Sequence, residues 1–363
     1  MIKMLKRQGI LGFILLLSLN KTYAQDTSKA VTFSGYIETY YLYNFNNPTN
    51  NTQPPFFYSF NRHNEVNLNL GYAKATYSKD KVRANFALMA GTYPVANLAA
   101  EPEALRHILE ANIGVKLSAK KNLWLDAGIM PSHIGFESAI GKDCPNLTRS
   151  MLAENTPYYE AGVKVGYTST NEKWFLSALL LNGWQRIKRP AGNSTPAFGT
   201  QVTYKPSSKV TFNSSTFIGN DKPDSVRQMR YFHNFYSILQ LNKKWSAILG
   251  FDVGTEQSAK GSSKMNTWYS SVLIVKYVAT DKLSIAARAE YYQDKKGVII
   301  NTATANGFQT TSYSANLDYA IQSNVLWRLE ARSLQSQDNI FDKSKSSKVA
   351  NATWVSSSIS ISF

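Results

Sequence analysis

Cysteine is nearly missing from this sequence: Cys144 stands alone among 363 residues. A single cysteine excludes a disulfide framework and a cysteine-based metal site. Histidine is scarce too. His63, His107, His133 and His233 lie in different segments, with no two at metal-ligand spacing. Each reads as a loop or rim residue. No serine sits in a G-x-S-x-G turn, so no motif gathers the nucleophile, base and orienting group of a hydrolase. These absences leave no catalytic residue, metal ligand or cofactor site to name, and the chain is not read as an enzyme. Long apolar runs are also missing. Past residue 24 nothing approaches the roughly 20 apolar residues of a membrane-crossing helix. Acids are the minority charge, 24 against 40 Lys and Arg.

The N-terminus sets the compartment. Met1 to Arg7 carries Lys3, Lys6 and Arg7 with no acid, Ile10 to Leu19 is apolar, and Thr22-Tyr23-Ala24 gives a small-residue exit. That order is a secretory signal peptide, residues 1–24, with residues 25–363 as a single mature domain. The competing reading is an N-terminal anchor helix. Gln25, rather than cysteine, argues against a lipid-anchored start. Export removes four of the 40 bases (Lys3, Lys6, Arg7, Lys21) and no acid, so 36 face 24, a balance of +12. A basic surface can meet nucleic acid, membrane or acidic ligands. Export argues against nucleic acid.

What the chain does have is 21 Tyr, 18 Phe and 7 Trp, alongside abundant Ser, Thr and Asn. This mix suits strands with one greasy and one wet face. Sixteen segments have that character. They are Val31–Tyr43, Glu65–Tyr77, Val82–Tyr93, Arg106–Leu117, Leu123–Met130, Tyr158–Tyr167, Trp174–Leu181 and Phe198–Lys205, then Val210–Ile218, Met229–Leu241, Trp245–Gly254, Thr267–Val278, Leu283–Tyr292, Phe308–Ile321, Val325–Leu334 and Ala352–Phe363. Their side chains alternate. Val355, Ser357, Ile359, Ile361 and Phe363 share one face, and Ser356, Ser358, Ser360 and Ser362 the other. Val325, Trp327, Leu329 and Ala331 oppose Arg328, Glu330 and Arg332. Trp245 to Val253 and Leu283 to Ala289 repeat the pattern. A period of two places these sets on opposite faces of a strand.

The connectors separate a membrane barrel from a soluble sandwich. Ser78–Lys81, Ser118–Asn122, Thr170–Glu172, Pro206–Ser208, Asn242–Lys244, Ala279–Asp281 and Gln322–Asn324 are short. The connectors between them are long, among them Asn44–Asn64, Pro131–Pro157, Gly183–Ala197 and Gln293–Gly307. Short and long alternate throughout, as in barrels with short periplasmic turns and long outer loops. The expected fold is an all-β, transmembrane, antiparallel up-and-down barrel of about 16 strands, both termini periplasmic. Aromatic clusters at Tyr40-Tyr41-Tyr43, Tyr158-Tyr159, Trp174-Phe175, Trp268-Tyr269 and Tyr291-Tyr292 suit the headgroup level, or simply the strand preference of aromatic rings. Lys74 shares the parity of Val66, Leu68, Leu70 and Tyr72, which reads as a lipid-side lysine reaching water at the rim.

Three runs carry a family resemblance: Phe33-Ser34-Gly35-Tyr36-Ile37-Glu38, Leu123-Trp124-Leu125-Asp126-Ala127-Gly128-Ile129-Met130-Pro131 and Asn155-Thr156-Pro157-Tyr158-Tyr159-Glu160-Ala161-Gly162. The mature chain resembles the β-barrel porin family described as OmpL-like over nearly its whole length. The resemblance implies a porin of the bacterial outer membrane and brings no catalytic residue with it.

At sixteen strands side chains alone do not fill the interior, and an aqueous channel for small solutes or ions is expected. The inward parity lines it with Glu38, Arg83, Glu110, Lys116, Asp126, Glu160, Lys164, Lys205, Arg288, Glu290, Asp318, Arg328, Glu330 and Arg332. Seven of these are basic and seven acidic, so the formal count licenses no ion preference. The excess positive charge falls in turns such as Lys120-Lys121 and Lys243-Lys244 and in loops such as Arg186–Arg189, Lys295-Lys296 and Lys343–Lys348. There it either meets outer-leaflet glycolipid phosphates or is simply solvated.

The connector 131–157 resembles in position the loop that narrows well-known sixteen-stranded porins. It carries Glu137, Lys142, Asp143, Arg149 and Glu154 beside apolar Ile134, Phe136, Ile140, Leu147, Met151 and Leu152. Packing inside the mouth as a constriction is expected, with a lid on the outer rim as the alternative. Sixteen-stranded porins are often trimers, which makes a homo-oligomer the partner expectation by resemblance. The terminal Phe363 resembles the C-terminal aromatic signal read by the barrel assembly machinery. The competing function is a non-conducting barrel serving as adhesin or anchor. A receptor with an N-terminal plug domain is not expected, since little chain precedes Val31.

Overall fold

A computed structural model of the chain describes residues 30–344 and 347–363. The expected signal peptide lies outside the described residues. The strands are β1 Val31–Asn44, β2 Val66–Lys79, β3 Val82–Ala90, β4 Ile108–Lys116, β5 Asn122–Pro131, β6 Tyr159–Thr168, β7 Trp174–Leu181, β8 Ala197–Ser207 and β9 Val210–Gly219. After them come β10 Arg230–Gln240, β11 Trp245–Gln257, β12 Met265–Val278, β13 Leu283–Asp294, β14 Phe308–Gln322, β15 Val325–Ser336, β16 Phe341–Lys343, β17 Ser347–Val349 and β18 Asn351–Ser362. β1 to β15 and β18 form one closed barrel of sixteen antiparallel strands. β16 and β17 pair as a separate hairpin inside the last long connector. Closure satisfies every strand edge, which hydrocarbon demands of a spanning sheet.

The seam is β1 on β18, in register from Tyr36↔Ser362 to Asn44↔Trp354. It ends in a reciprocal pair: Gly35 N–H donates to the Phe363 carbonyl at 2.7 Å, and Phe363 N–H to the Gly35 carbonyl at 3.1 Å. The Phe363 ring occupies the space a Cβ on Gly35 would enter. A terminal aromatic thus covers the bare backbone of a glycine at the seam.

Alternation is borne out along the strands. Trp245, Leu249 and Phe251 are exposed on the outer face of β11, while Asp252 is buried inside. Val325–Ser336 buries Arg328, Glu330 and Arg332 and turns Leu329 outward. The aromatic doublets are split by the same alternation. Tyr40, Tyr159, Trp268 and Tyr292 are buried inside; Tyr41 is exposed outside, and Tyr269 packs outside against Tyr291 with ring centres 6.0 Å apart. Only one ring of such a doublet belongs to the outer face. At the other end of the barrel Trp174 stacks on Tyr204 at 4.1 Å, and Trp245 packs tilted against Tyr277 at 4.6 Å.

Two expectations are corrected. The third segment does not run to Tyr93. β3 stops at Ala90, and Gly91, at φ 133° with its α-carbon against the Asn69 carbonyl, turns the chain into the short helix Thr92–Asn97. A side chain at Gly91 would strike that backbone, so the reversal needs glycine. Lys74 is not on the lipid side. Opposite Glu38 and Thr39 the register slips, pairing Glu38 with Leu70 but Thr39 with Leu68. Asn69 is the extra residue of a bulge, and a bulge exchanges the faces beyond it. Val66 is therefore 77% exposed and Leu70 fully buried. Lys74, on the Leu70 side, reaches inward to Glu110 at 2.8 Å.

The barrel interior is unequal along its axis. Toward the long loops, inward-facing Leu42, Leu181, Phe217, Phe232, Trp268, Phe308 and Trp354 form one apolar cluster with Phe56, Phe57 and Phe60 of the first long loop and Leu147 and Met151 of the third. Toward the short turns the inward positions are polar and partly exposed, among them Arg83, Asn85, Asn112, Lys116 and Lys164.

Candidate functional site

The third long loop, residues 132–158, is tied to the inner wall on both sides. It enters along β9 and β10. His133 Nδ1 lies 2.7 Å from Glu160 Oε2, and its Nε2 lies 2.9 Å from the Thr216 carbonyl. Ser215 Oγ donates to the His133 carbonyl at 2.8 Å. Gly135 N–H donates to Asn234 Oδ1 at 3.2 Å, and Phe136 packs on Tyr236. The loop then crosses to β1 and β13–β15. A single 3-10 turn, Gly141–Asp143, sets the Gly141 backbone against the Glu38 carboxylate, and Lys142 N–H reaches Tyr36 Oη at 3.3 Å.

Buried charges on the far wall hold the returning strand of the loop. Arg328 forks between wall and loop: Nε donates to Asp318 Oδ1 at 2.6 Å, Nη1 to the Gly141 carbonyl at 2.8 Å, and Nη2 to the Cys144 carbonyl at 2.9 Å. Leu147 N–H donates to Asn316 at 3.0 Å, and Thr148 N–H to Glu330 at 2.5 Å. Arg288 donates to the Thr148 carbonyl at 2.6 Å and to Glu330 at 2.9 Å. Arg332 donates to the Arg149 carbonyl at 2.8 Å and pairs with Glu290 at 2.5 Å. Met151 N–H donates to Glu290 at 2.6 Å. These strand side chains neutralise one another and satisfy a loop backbone that would otherwise be orphaned inside a barrel.

The loop also holds itself. Arg149, fully buried, donates to the carbonyls of Ser138, Leu147 and Ala139. Glu137 accepts from the amide and hydroxyl of Ser150. Ser150 caps the turn Met151–Glu154 by accepting from Ala153 N–H at 3.1 Å. Glu154 accepts from the amides of Tyr58 at 2.9 Å and Ser59 at 3.3 Å, which ties the third loop to the first. Of the five loop charges singled out in the sequence, Glu137, Arg149 and Glu154 are buried in these contacts. Lys142 and Asp143 are exposed and pair with each other at 3.1 Å.

Burial pushes the Glu154 carboxyl up from its ordinary 4.5 to about 7, against the two amides that favour its ionised form. The docked loop therefore keeps a proton that a released loop gives up. Docking is strongest below pH 4.5, weakens as pH rises toward about 7, and changes no further above it. Amide exchange at Tyr58 and Ser59, corrected for its intrinsic rate, is expected to accelerate across that interval. Glu154→Gln should flatten the profile. A flat profile in the native protein would refute the linkage.

The remaining lining candidates stand elsewhere on the wall. Glu38 accepts from Asn69 at 3.0 Å. Arg83 grips Asp126 through two bonds at 2.7 and 2.6 Å and lies over Trp124. Glu110 meets Lys74, and Glu160 meets His133. Lys116, Lys164 and Lys205 have no carboxylate within ion-pair distance among the described residues. Sequence reasoning missed the neutral anchors Asn234, Asn316 and Ser215, and it missed a mouth cluster in which Arg230 joins Glu256 and Asp221 beneath Trp184. No local motif signals these groups.

Cavities lie on both sides of the loop. One of about 420 Å³ is bordered by Glu154, Asn155 and Thr156 together with Trp184, Arg186 and Arg230 at the mouth. One of about 250 Å³ lies between Lys142 and the short turn Gln322–Asn324.

Solved outer-membrane barrels share this fold. OmpT of Vibrio cholerae matches with a TM-score of 0.60 at 10% identity, over 93% of this chain and 99% of its own. An anion-selective porin from Comamonas acidovorans matches at 0.61 and 7% identity, over 92% and 99%. The outer membrane channel DcaP of Acinetobacter baumannii matches at 0.59 and 9%, over 94% and 100%. At such identities the likeness is one of fold. No functionally curated protein matches the chain. A family model spans residues 30–363, the whole barrel, and by it the chain belongs to the family described as "Putative beta-barrel porin-2, OmpL-like", porins of the bacterial outer membrane.

Proposed function

We propose that this porin is a passive diffusion channel for small hydrophilic solutes or ions, narrowed by the loop 132–158, and that it catalyses no reaction. One observation carries the reading. The loop borders both the mouth cavity and the short-turn cavity while hydrogen-bonded to buried wall charges on β13 and β15. A segment so held supports the reading of a loop that stands in the path of the solute. A second reading, a non-conducting adhesin or anchor, is favoured by the apolar cluster toward the long loops, which joins side chains from most of the wall. Swelling of liposomes containing the refolded protein in small sugars decides between them. Swelling is expected, and its absence would establish the anchor.

The proposed partners follow from the surface. The exposed aromatic and aliphatic outer face would meet membrane lipid, and basic residues of the long loops the phosphates of outer-leaflet glycolipid. A homotrimer is proposed by analogy with porin neighbours, one of which is described in a trimer form. We further propose Phe363 as the signal for the barrel assembly machinery. Deleting it removes both backbone bonds to Gly35. The expected result is a loss of most of the heat-modifiable, folded species in the outer membrane. Undiminished assembly would count against the role.

A further inference from the structure

We propose that the channel prefers anions, and that the preference is set in its short-turn half by cations that reach water while their carboxylate partners lie against the wall. The inference rests on the channel reading above and names its solute class.

The formal lining count of seven bases and seven acids treats every charge as equal. The structure separates them by exposure. Side-chain exposure is 38% for Arg83 against 7% for Asp126, 23% for Lys74 against 11% for Glu110, and 32% for Lys276 against 8% for Asp318. In each pair the carboxylate is the recessed member and the cation the presented one. A passing ion meets the ammonium or guanidinium first.

The pairs are also unequal in number. Both oxygens of Asp126 are taken by Arg83, yet Lys164 lies directly across the ladder from Asp126. Asp318 is gripped by Arg328 at 2.6 Å and still faces Lys276 at 3.8 Å. Each of these carboxylates thus has a second cation on its side of the wall, Lys276 within 3.8 Å of Asp318 and Lys164 opposite Asp126 but beyond ion-pair distance. Lys116 and Lys205, at the short-turn ends of β4 and β8, have no carboxylate within ion-pair distance among the described residues. The rim turns add the exposed doublets Lys120-Lys121 and Lys243-Lys244. The third loop contributes no counterweight, because Lys142 and Asp143 cancel and its other charges are buried. Of the other acids in the formal count, Glu290 and Glu330 are fully enclosed with Arg288 and Arg332 beneath the loop, and Glu38 and Glu160 are buried as well.

Charge presented within a narrow, low-dielectric wall concentrates counter-ions. Its reach is about 10 Å at 0.1 M salt and about 3 Å at 1 M. The preference should therefore be marked in dilute salt and fade in concentrated salt.

The test is the reversal potential of the purified full-length porin in planar bilayers across a KCl gradient. Native protein should show chloride permeating more readily than potassium at 0.1 M, with the difference shrinking toward 1 M. The triple variant Lys116→Glu, Lys164→Glu, Lys205→Glu should lower the chloride-to-potassium ratio roughly tenfold. The neutral set with Gln at the same positions should fall between, and it guards against a charge-reversed protein that does not fold. A native channel that conducts but prefers potassium overturns the anion proposal and leaves the channel reading standing. Absence of any current overturns both. A native preference unmoved by either variant set overturns the assignment to these lysines.

Discussion

Removing residues 135–154 should raise the single-channel conductance several-fold. The deletion takes out the proposed septum between the two cavities, from Gly135, which binds Asn234, to Glu154, which binds the first loop. It does not dismantle the wall. Arg328 keeps Asp318, Arg288 keeps Glu330 and Arg332 keeps Glu290, because these pairs join barrel strands to one another. What the three arginines lose is a set of loop carbonyls, which water in the widened lumen replaces. Planar-bilayer recordings of native and deleted protein at equal salt measure the change.

The size of the increase also apportions the narrowing. The first loop stays behind, anchored by Phe56 on Phe308 at 4.8 Å, by Phe57 against Trp354 at 5.3 Å, and by the Arg332 guanidinium over Phe57 at 4.6 Å. If this aromatic plug, rather than the third loop, limits flow, conductance will not move and the septum reading falls. A large increase means that the passage runs past the loop and that the plug leaves a path beside it.

The barrel was legible because two independent patterns agree. Alternation within Val325–Leu334 and Ala352–Phe363 named the inner and outer faces, and the alternation of short and long connectors named the closure. The third loop announced itself through its apolar residues, since Leu147, Met151 and Leu152 had no reason to face water. The misread places share a physical cause. The Asn69 bulge leaves no mark in composition, yet it moves Lys74 through the wall. The Trp268-Tyr269 and Tyr291-Tyr292 doublets look alike in sequence, but alternate positions cannot both face lipid. The site was legible in membership and illegible in pairing. Arg328 and Gly141 are 187 residues apart, and Arg288 and Thr148 are 140 apart. No spacing rule connects such residues, and no count of charges tells which member of a pair reaches water. His133, read as an ordinary loop histidine, is buried against Glu160 because the loop it begins dives inward.

The second large effect is expected at Arg328. Its planar fork does what no other side chain among the described residues does, holding Asp318 with Nε while Nη1 and Nη2 hold three loop carbonyls, those of Gly141, Cys144 and Pro145. Arg328→Met fills similar volume, takes a charged donor from all three carbonyls, and leaves Asp318 with the Asn316 amide at 2.7 Å and no cation nearer than Lys276 at 3.8 Å. Breaking a buried pair by removing one partner costs about 3–5 kcal/mol. Urea unfolding of the protein in detergent micelles should show a loss of that order. Arg328→Lys should recover little of it, because one ammonium cannot span four acceptors. The double variant Arg328→Met, Asp318→Leu separates wall from loop. With the lone carboxylate gone, the unfolding midpoint should return most of the way, since an apolar pair often replaces a buried ionic one at little cost. The loop tip stays unanchored all the same, so trypsin should cleave after Lys142 in both variants while sparing the native protein. Native-like resistance at Lys142 in the double variant would show that the tip is held by Tyr36 and the loop's own contacts, and that Arg328 serves the wall alone.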